Sequence, residues 1–172
     1  MANILDATRW FGRPKKGDQA TAKDAWHDDL REIYKRCIDS EALYSEARND
    51  VPPNEQSAGA FIREAHYQRR RMVAEMSGLM AGLGVGIDPQ RTTVGKLRKE
   101  WMAFASAVDQ AKPLAVIEAL IGGDKRLLSG YDAMEKHQNL PRRVQLTLEA
   151  QRRLVQQSLS RMQGFINLGG GS

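Results

Sequence analysis

Ile117-Glu118-Ala119-Leu120-Ile121-Gly122-Gly123-Asp124-Lys125-Arg126-Leu127-Leu128 lies inside a longer periodic stretch. Its apolar stripe runs Leu114, Ile117, Ile121, Leu128, Tyr131, in steps of three and four, with Asp124 on the same line. That spacing is one face of a helix. The breakers around it, Lys112-Pro113 before and Asn139 after, set a helix from about Pro113 to His137.

The same period recurs three more times. A first helix is expected from Thr21 or Lys23 to Asn49, with the stripe Trp26, Leu30, Ile33, Cys37, Glu41, Tyr44, stopped at Val51-Pro52-Pro53-Asn54. A second runs from Glu55 to Leu83 on Phe61, Ala65, Gln68, Met72, Met76, Leu79 and Leu83, and ends in Gly82-Leu83-Gly84-Val85-Gly86. The fourth follows Asn139 as N-cap, with Pro141 in its first turn and the stripe Val144, Leu148, Gln151, Val155, Leu159, Met162, Ile166. Each helix is about 36–44 Å long at 1.5 Å per residue. A shorter amphipathic helix fits residues 93–110, on Val94, Leu97, Trp101, Phe104 and Val108. No strand-like alternation occurs. The fold class is therefore all-α. Short turns join helices one and two and helices three and four. One long crossover joins helices two and three, the connectivity of a ferritin-like antiparallel four-helix bundle.

Three segments follow: an N-terminal extension and linker over 1–22, the four-helix domain over 23–166, and a Gly-rich tail over 167–172. Across the chain's 172 residues, hydrophobic residues make up 41% and charged residues 27%, as in soluble globular proteins. No run approaches a membrane span. The single cysteine, Cys37, leaves no internal disulfide framework and reads as a buried small hydrophobe. Without an apolar leader the expected location is cytoplasmic.

Each long stripe carries one polar residue near its middle: Glu41, Gln68, Asp124 and Gln151. At one level, these four would form a hydrogen-bonded core layer, with arginines such as Arg69 or Arg152 neutralising it. The alternative is a degenerate metal site, with Glu41 and Asp124 holding iron or manganese and the two amides completing the layer. A full dinuclear site needs Glu-x-x-His on two helices. Helix two offers Glu64-Ala65-His66-Tyr67-Gln68 and helix four Glu149-Ala150-Gln151-Arg152-Arg153, so neither has it.

Several of these segments carry a resemblance. Ile38-Asp39-Ser40-Glu41-Ala42-Leu43-Tyr44 is similar to an Asp-Gly-Glu-x-x-Tyr first helix. Gly123-Asp124-x-x-x-Leu128-x-x-Tyr131 resembles a Gly-Glu-Asp third helix, with Asp124 at the Glu position. Gln68-Arg69-Arg70, Trp101-Met102 and Asn139-Leu140-Pro141 fall in matching order. Over residues 26–163 the chain resembles an uncharacterised bacterial ferritin-like family, domain of unknown function 2383. The resemblance implies a ferritin-like bundle with a helical crossover and implies no reaction. The basic leader and the Gly-rich tail depart from the family pattern.

The net charge of +5 is modest. Arg69-Arg70-Arg71, Arg142-Arg143 and Arg152-Arg153 read as a solvated face or part of a dimer interface, with Glu64, Glu75 and Glu149 available to pair, and the absence of helix-turn-helix spacing and of an aromatic-interleaved basic patch argues against nucleic-acid binding. In the leader, Trp10 and Phe11 stand beside Arg13, Lys15 and Lys16 and form an expected protein-interaction segment. The overall expectation is a non-enzymatic, cofactor-free structural or interaction module that self-associates as a homo-oligomer. Iron or manganese handling, as in a stress response, is the alternative.

Overall fold

The structure, a computed structural model, describes residues 16–51, 56–87, 99 and 113–169. Among them all regular structure is helical: α1 (Lys16–Asp50), α2 (Gln56–Leu83), α3 (Pro113–Met134) and α4 (Arg142–Gly169). The helix expected over 93–110 falls outside the described residues apart from Lys99. So do Trp10, Phe11, Arg13 and Lys15, while Lys16 opens α1.

α1 starts earlier than its stripe predicts. Ala20, Ala22 and Lys23 are residue types that favour helix. α3 ends earlier than expected. After Met134 the bonding tightens, with Lys136 N–H on the Ala133 carbonyl and His137 N–H on that of Met134. Asn139 is not an N-cap. It takes φ +63°, the left-handed conformation that asparagine tolerates better than most residues, and turns the chain toward Pro141. The first backbone bond of α4 then runs from Gln145 N–H to the Pro141 carbonyl, and the Gln145 side chain donates to Leu140 O at 2.9 Å.

The glycine cluster ending α2 does what its composition predicts. Gly84 has φ +67°, Val85 N–H reaches the Met80 carbonyl at 3.0 Å and Gly84 N–H that of Ala81 at 3.2 Å. This is a Schellman closure. Its apolar partners Met80 and Val85 are both buried.

α1 packs on α2 and α3, and α4 packs on the same two helices. Two apolar clusters fill the centre. One takes Leu30, Ile33 and Cys37 from α1, Met72 to Met80 from α2 with Val85 just after it, Leu127 to Met134 from α3 and Val144 to Val155 from α4. The other takes Leu43, Tyr44 and Ala47, then Phe61, Ile62 and Ala65, then Val116, Ile117 and Leu120, then Met162.

The buried line of α3 is Val116, Ile117, Leu120, Asp124, Leu127, Tyr131, Met134, while Leu114 is exposed and Ile121 and Leu128 are half-buried. The stripe is rotated from the expected one because two glycines face α1. A Cβ on Gly123 would stand 2.7 Å from Leu43 Cδ2, and one on Gly130 3.1 Å from Ile33 Cγ1. Gly122, by contrast, has nothing within 4 Å of its Cβ position. Gly122→Ala should therefore stabilise by about 1 kcal/mol through helix propensity. Gly123→Val should destabilise by ~1–3 kcal/mol through overpacking against Leu43. Urea unfolding of the two variants checks this, and a shift of the same sign in both would contradict the placement of the α1–α3 contact.

Candidate functional site

The middle of the core is polar. Asp124 on α3 is fully buried and meets groups from two other helices. Arg69 Nη2 on α2 donates to Asp124 Oδ2 at 2.8 Å, and Tyr44 Oη on α1 donates to the same oxygen at 2.8 Å. Ser40 Oγ lies 3.4 Å from Oδ1, and Arg69 Nε donates to that serine at 3.2 Å. The guanidinium sits 4.9 Å from the Tyr44 ring centre, a cation–π contact in a dry setting. Arg69 itself has no exposed surface.

Burial is the largest influence on Asp124 and raises its carboxyl above the usual range, while Arg69, Tyr44 and Ser40 pull it back down. Burial alone would lower Arg69, but the Asp124 charge and the Tyr44 oxygen outweigh it and its affinity for a proton rises. Arg69 is a cation inside the core. Tyr44 is pushed well above its ordinary value, first by burial and then by the Asp124 charge, so it acts as a neutral donor.

A second chain of bonds runs beside this group. Glu75 accepts from Gln151 Nε2 at 3.1 Å, and the same amide reaches the Met72 carbonyl at 3.3 Å. Tyr131 Oη donates to Gln151 Oε1 at 3.1 Å and stands 3.7 Å from Cys37 Sγ. Burial, ahead of the neighbouring Cys37, raises Tyr131 out of any physiological range.

Of the four residues expected in one layer, the structure buries Asp124 and Gln151 only. Glu41 is half-buried at the α1–α2 edge, where His66 Nε2 lies 2.8 Å from its Oε1. Gln68 is half-buried in a cleft of about 70 Å³ between α2 and α4, with Phe61, Ala65, Leu154 and Ser158. The correction is one residue on each helix: Ser40 takes the place expected for Glu41, and Arg69 the place expected for Gln68. One residue is a rotation of about 100° on a helix, enough to move a side chain from the edge to the centre. A signal for Arg69 was present. Ile62, Ala65, Arg69, Met72 and Met76 form a line of threes and fours, and all five are buried. Arg69 was expected beside the layer as a neutralising arginine, and it does neutralise Asp124, but from inside the core.

Arg152 neutralises other groups, pairing with Asp132 Oδ1 at 2.8 Å and with Glu135. Glu75 pairs with Arg71 at 3.4 Å and Glu149 with Arg153 at 4.0 Å, within the expected clusters, whereas Glu64 pairs at 2.8 Å with Arg161, which lies outside them.

These donors do not suit a dinuclear metal. Both Asp124 oxygens already have polar partners, and the charge balancing the carboxylate is Arg69, which would repel a cation. Glu41 is engaged with His66 on a different edge. Among the described residues no three His, Cys, Asp or Glu side chains converge.

No helix among the described residues is long and apolar enough to cross a membrane. Neither the curated proteins nor the solved structures contain a match to the chain. A family model described as "Domain of unknown function (DUF2383)" matches residues 26–137, a span holding Ser40, Tyr44, Arg69 and Asp124. The four residues of the buried ion-pair group thus come from the stretch that places this chain in its family: it belongs to the DUF2383 domain family.

Proposed function

We propose that the chain is a non-enzymatic ferritin-like helical module whose role is structural or protein-interacting, and that it self-associates. The observation carrying this reading is Arg69 inside the core. Where a metal-dependent four-helix protein directs carboxylates and histidines at an ion, this core directs a guanidinium at a carboxylate and satisfies both. A buried ion pair of this kind specifies which residues face inward more than it adds stability. The ferritin-like part draws support from residue order in the two apolar clusters. α1 and α4 advance in number from the first cluster to the second, while α2 and α3 decrease. With residues 84–112 between α2 and α3 in the sequence, that order supports an antiparallel arrangement with one long crossover.

Two measurements on protein purified without a metal-affinity step test the reading. Elemental analysis should find no stoichiometric iron, manganese or zinc. Sedimentation velocity should show a concentration-dependent oligomer. A bound metal in molar amount would overturn the non-metal reading, and a monomer at every concentration would overturn self-association.

A further inference from the structure

The α3–α4 turn holds a cavity of about 220 Å³ with an apolar floor of Met134, Leu140 and Leu148 and acidic Glu135 and Glu149 at its rim. An interior cavity of about 150 Å³ already accepts benzene. This one has room for a large aromatic side chain. Arg152 also lines the cavity, and Asp132 and Glu135 share its one charge, so this trio stays acidic by one. Arg153 touches Glu149 only at 4.0 Å and in solvent, so that acid stays available. An aromatic group flanked by cations would fit both the floor and the rim.

The leader has that composition: Trp10-Phe11 flanked by Arg9, Arg13, Lys15 and Lys16. We infer that this cavity receives the Trp10-Phe11 segment of a second copy of the chain, an exchange that rests on the self-association reading above and gives it a contact. Chain reach decides between the molecule's own leader and a partner's. Asp29 on α1 is level with the cavity, because its Oδ2 lies 2.6 Å from His137 Nε2, and His137 lines the cavity. α1 continues from Asp29 back to Lys16, about 20 Å beyond that level. From Lys16 the chain spans at most about 3.3–3.6 Å per residue. The Phe11 backbone therefore falls short of the level of its own cavity, and that of Trp10 arrives only fully extended, with no residue left for the reversal. The overhanging helix instead carries the leader away from its own domain and toward a neighbour. Two copies related by a two-fold axis would each insert a leader into the other, which closes the assembly.

The test uses full-length chains. Sedimentation velocity across the micromolar range compares wild type with Trp10→Ala/Phe11→Ala. The double variant should need about tenfold or more protein to associate, because it removes the apolar anchor. A labelled peptide of residues 1–16 is then titrated into that variant, whose own leader no longer competes. Saturable binding should weaken in the added Glu149→Lys background and with rising salt. It should persist with Glu118→Lys, an equal charge change on an exposed residue at the other end of α3. Unchanged association of the Trp10→Ala/Phe11→Ala chain would overturn the inference and leave self-association standing. Equal peptide binding in the Glu149→Lys and Glu118→Lys backgrounds would overturn it as well. A wild type that stays monomeric would instead remove the self-association reading itself.

Discussion

Arg69→Met is expected to destabilise the protein by ~3–5 kcal/mol, the cost of leaving a buried carboxylate without its charge partner. The methionine fills much of the volume but supplies no donor. Asp124 would keep only Tyr44 and Ser40, from the α1 side. Replacing both partners, Arg69→Met with Asp124→Leu, should recover most of the loss, because the penalty belongs to the stranded charge and not to the missing pair. Gln68→Leu, one residue away, should fall within about 0.5 kcal/mol of wild type, since Gln68 stands in the half-open α2–α4 cleft. Urea unfolding of the three variants measures all of this. An Arg69→Met chain with a wild-type midpoint would show that the guanidinium does not sit on Asp124.

Cys37 is expected to be almost inert while the chain is folded. Burial, partly offset by the Tyr131 bond and the Arg69 charge, pushes its thiol up to about 12. The reactive species is the thiolate, and an unperturbed cysteine titrates near 8.5. At pH 8 the difference alone lowers the thiolate fraction by roughly a thousandfold, before the lack of access is counted. Labelling with an aromatic disulfide reagent should therefore proceed at the rate of unfolding, and should become fast only as urea opens the core. Rapid stoichiometric labelling in native buffer would contradict the placement of Cys37 against Tyr131.

How much of the site was legible differs by helix. On α4, Val144, Leu148, Gln151, Val155 and Met162 are buried as their spacing predicts, while Leu159 and Ile166 of the same stripe are half-buried. That stripe has few competing apolar residues. On α2 the apolar part of the stripe was legible, but the polar member was not. Gln68 and Arg69 are adjacent, and a charged residue in an arginine run is ordinarily a surface residue. Only the presence of Asp124 opposite makes burial of Arg69 tolerable. On α1 the same ambiguity falls between Ser40 and Glu41. A small hydroxyl fits beside the guanidinium, while the longer carboxylate reaches His66 at the edge.

Local chemistry settled what is local. The 3.6-residue period, Pro52 after α1, the glycine closure of α2 and the absence of strand-like alternation established four long helices from the chain alone, because helix formation and termination depend on neighbours within a few positions. The rotation of each helix about its axis was a tertiary decision. On α3 the most apolar line, through Ile121 and Leu128, lost to the one that brings Gly123 and Gly130 against α1, since the Leu43 and Ile33 side chains occupy the space a Cβ would need. The pairing of Arg69 with Asp124 followed from the same packing. A periodic pattern gives a face to within about one residue, and which of two neighbours occupies the centre is fixed by the charge and volume that the other helices bring to meet it.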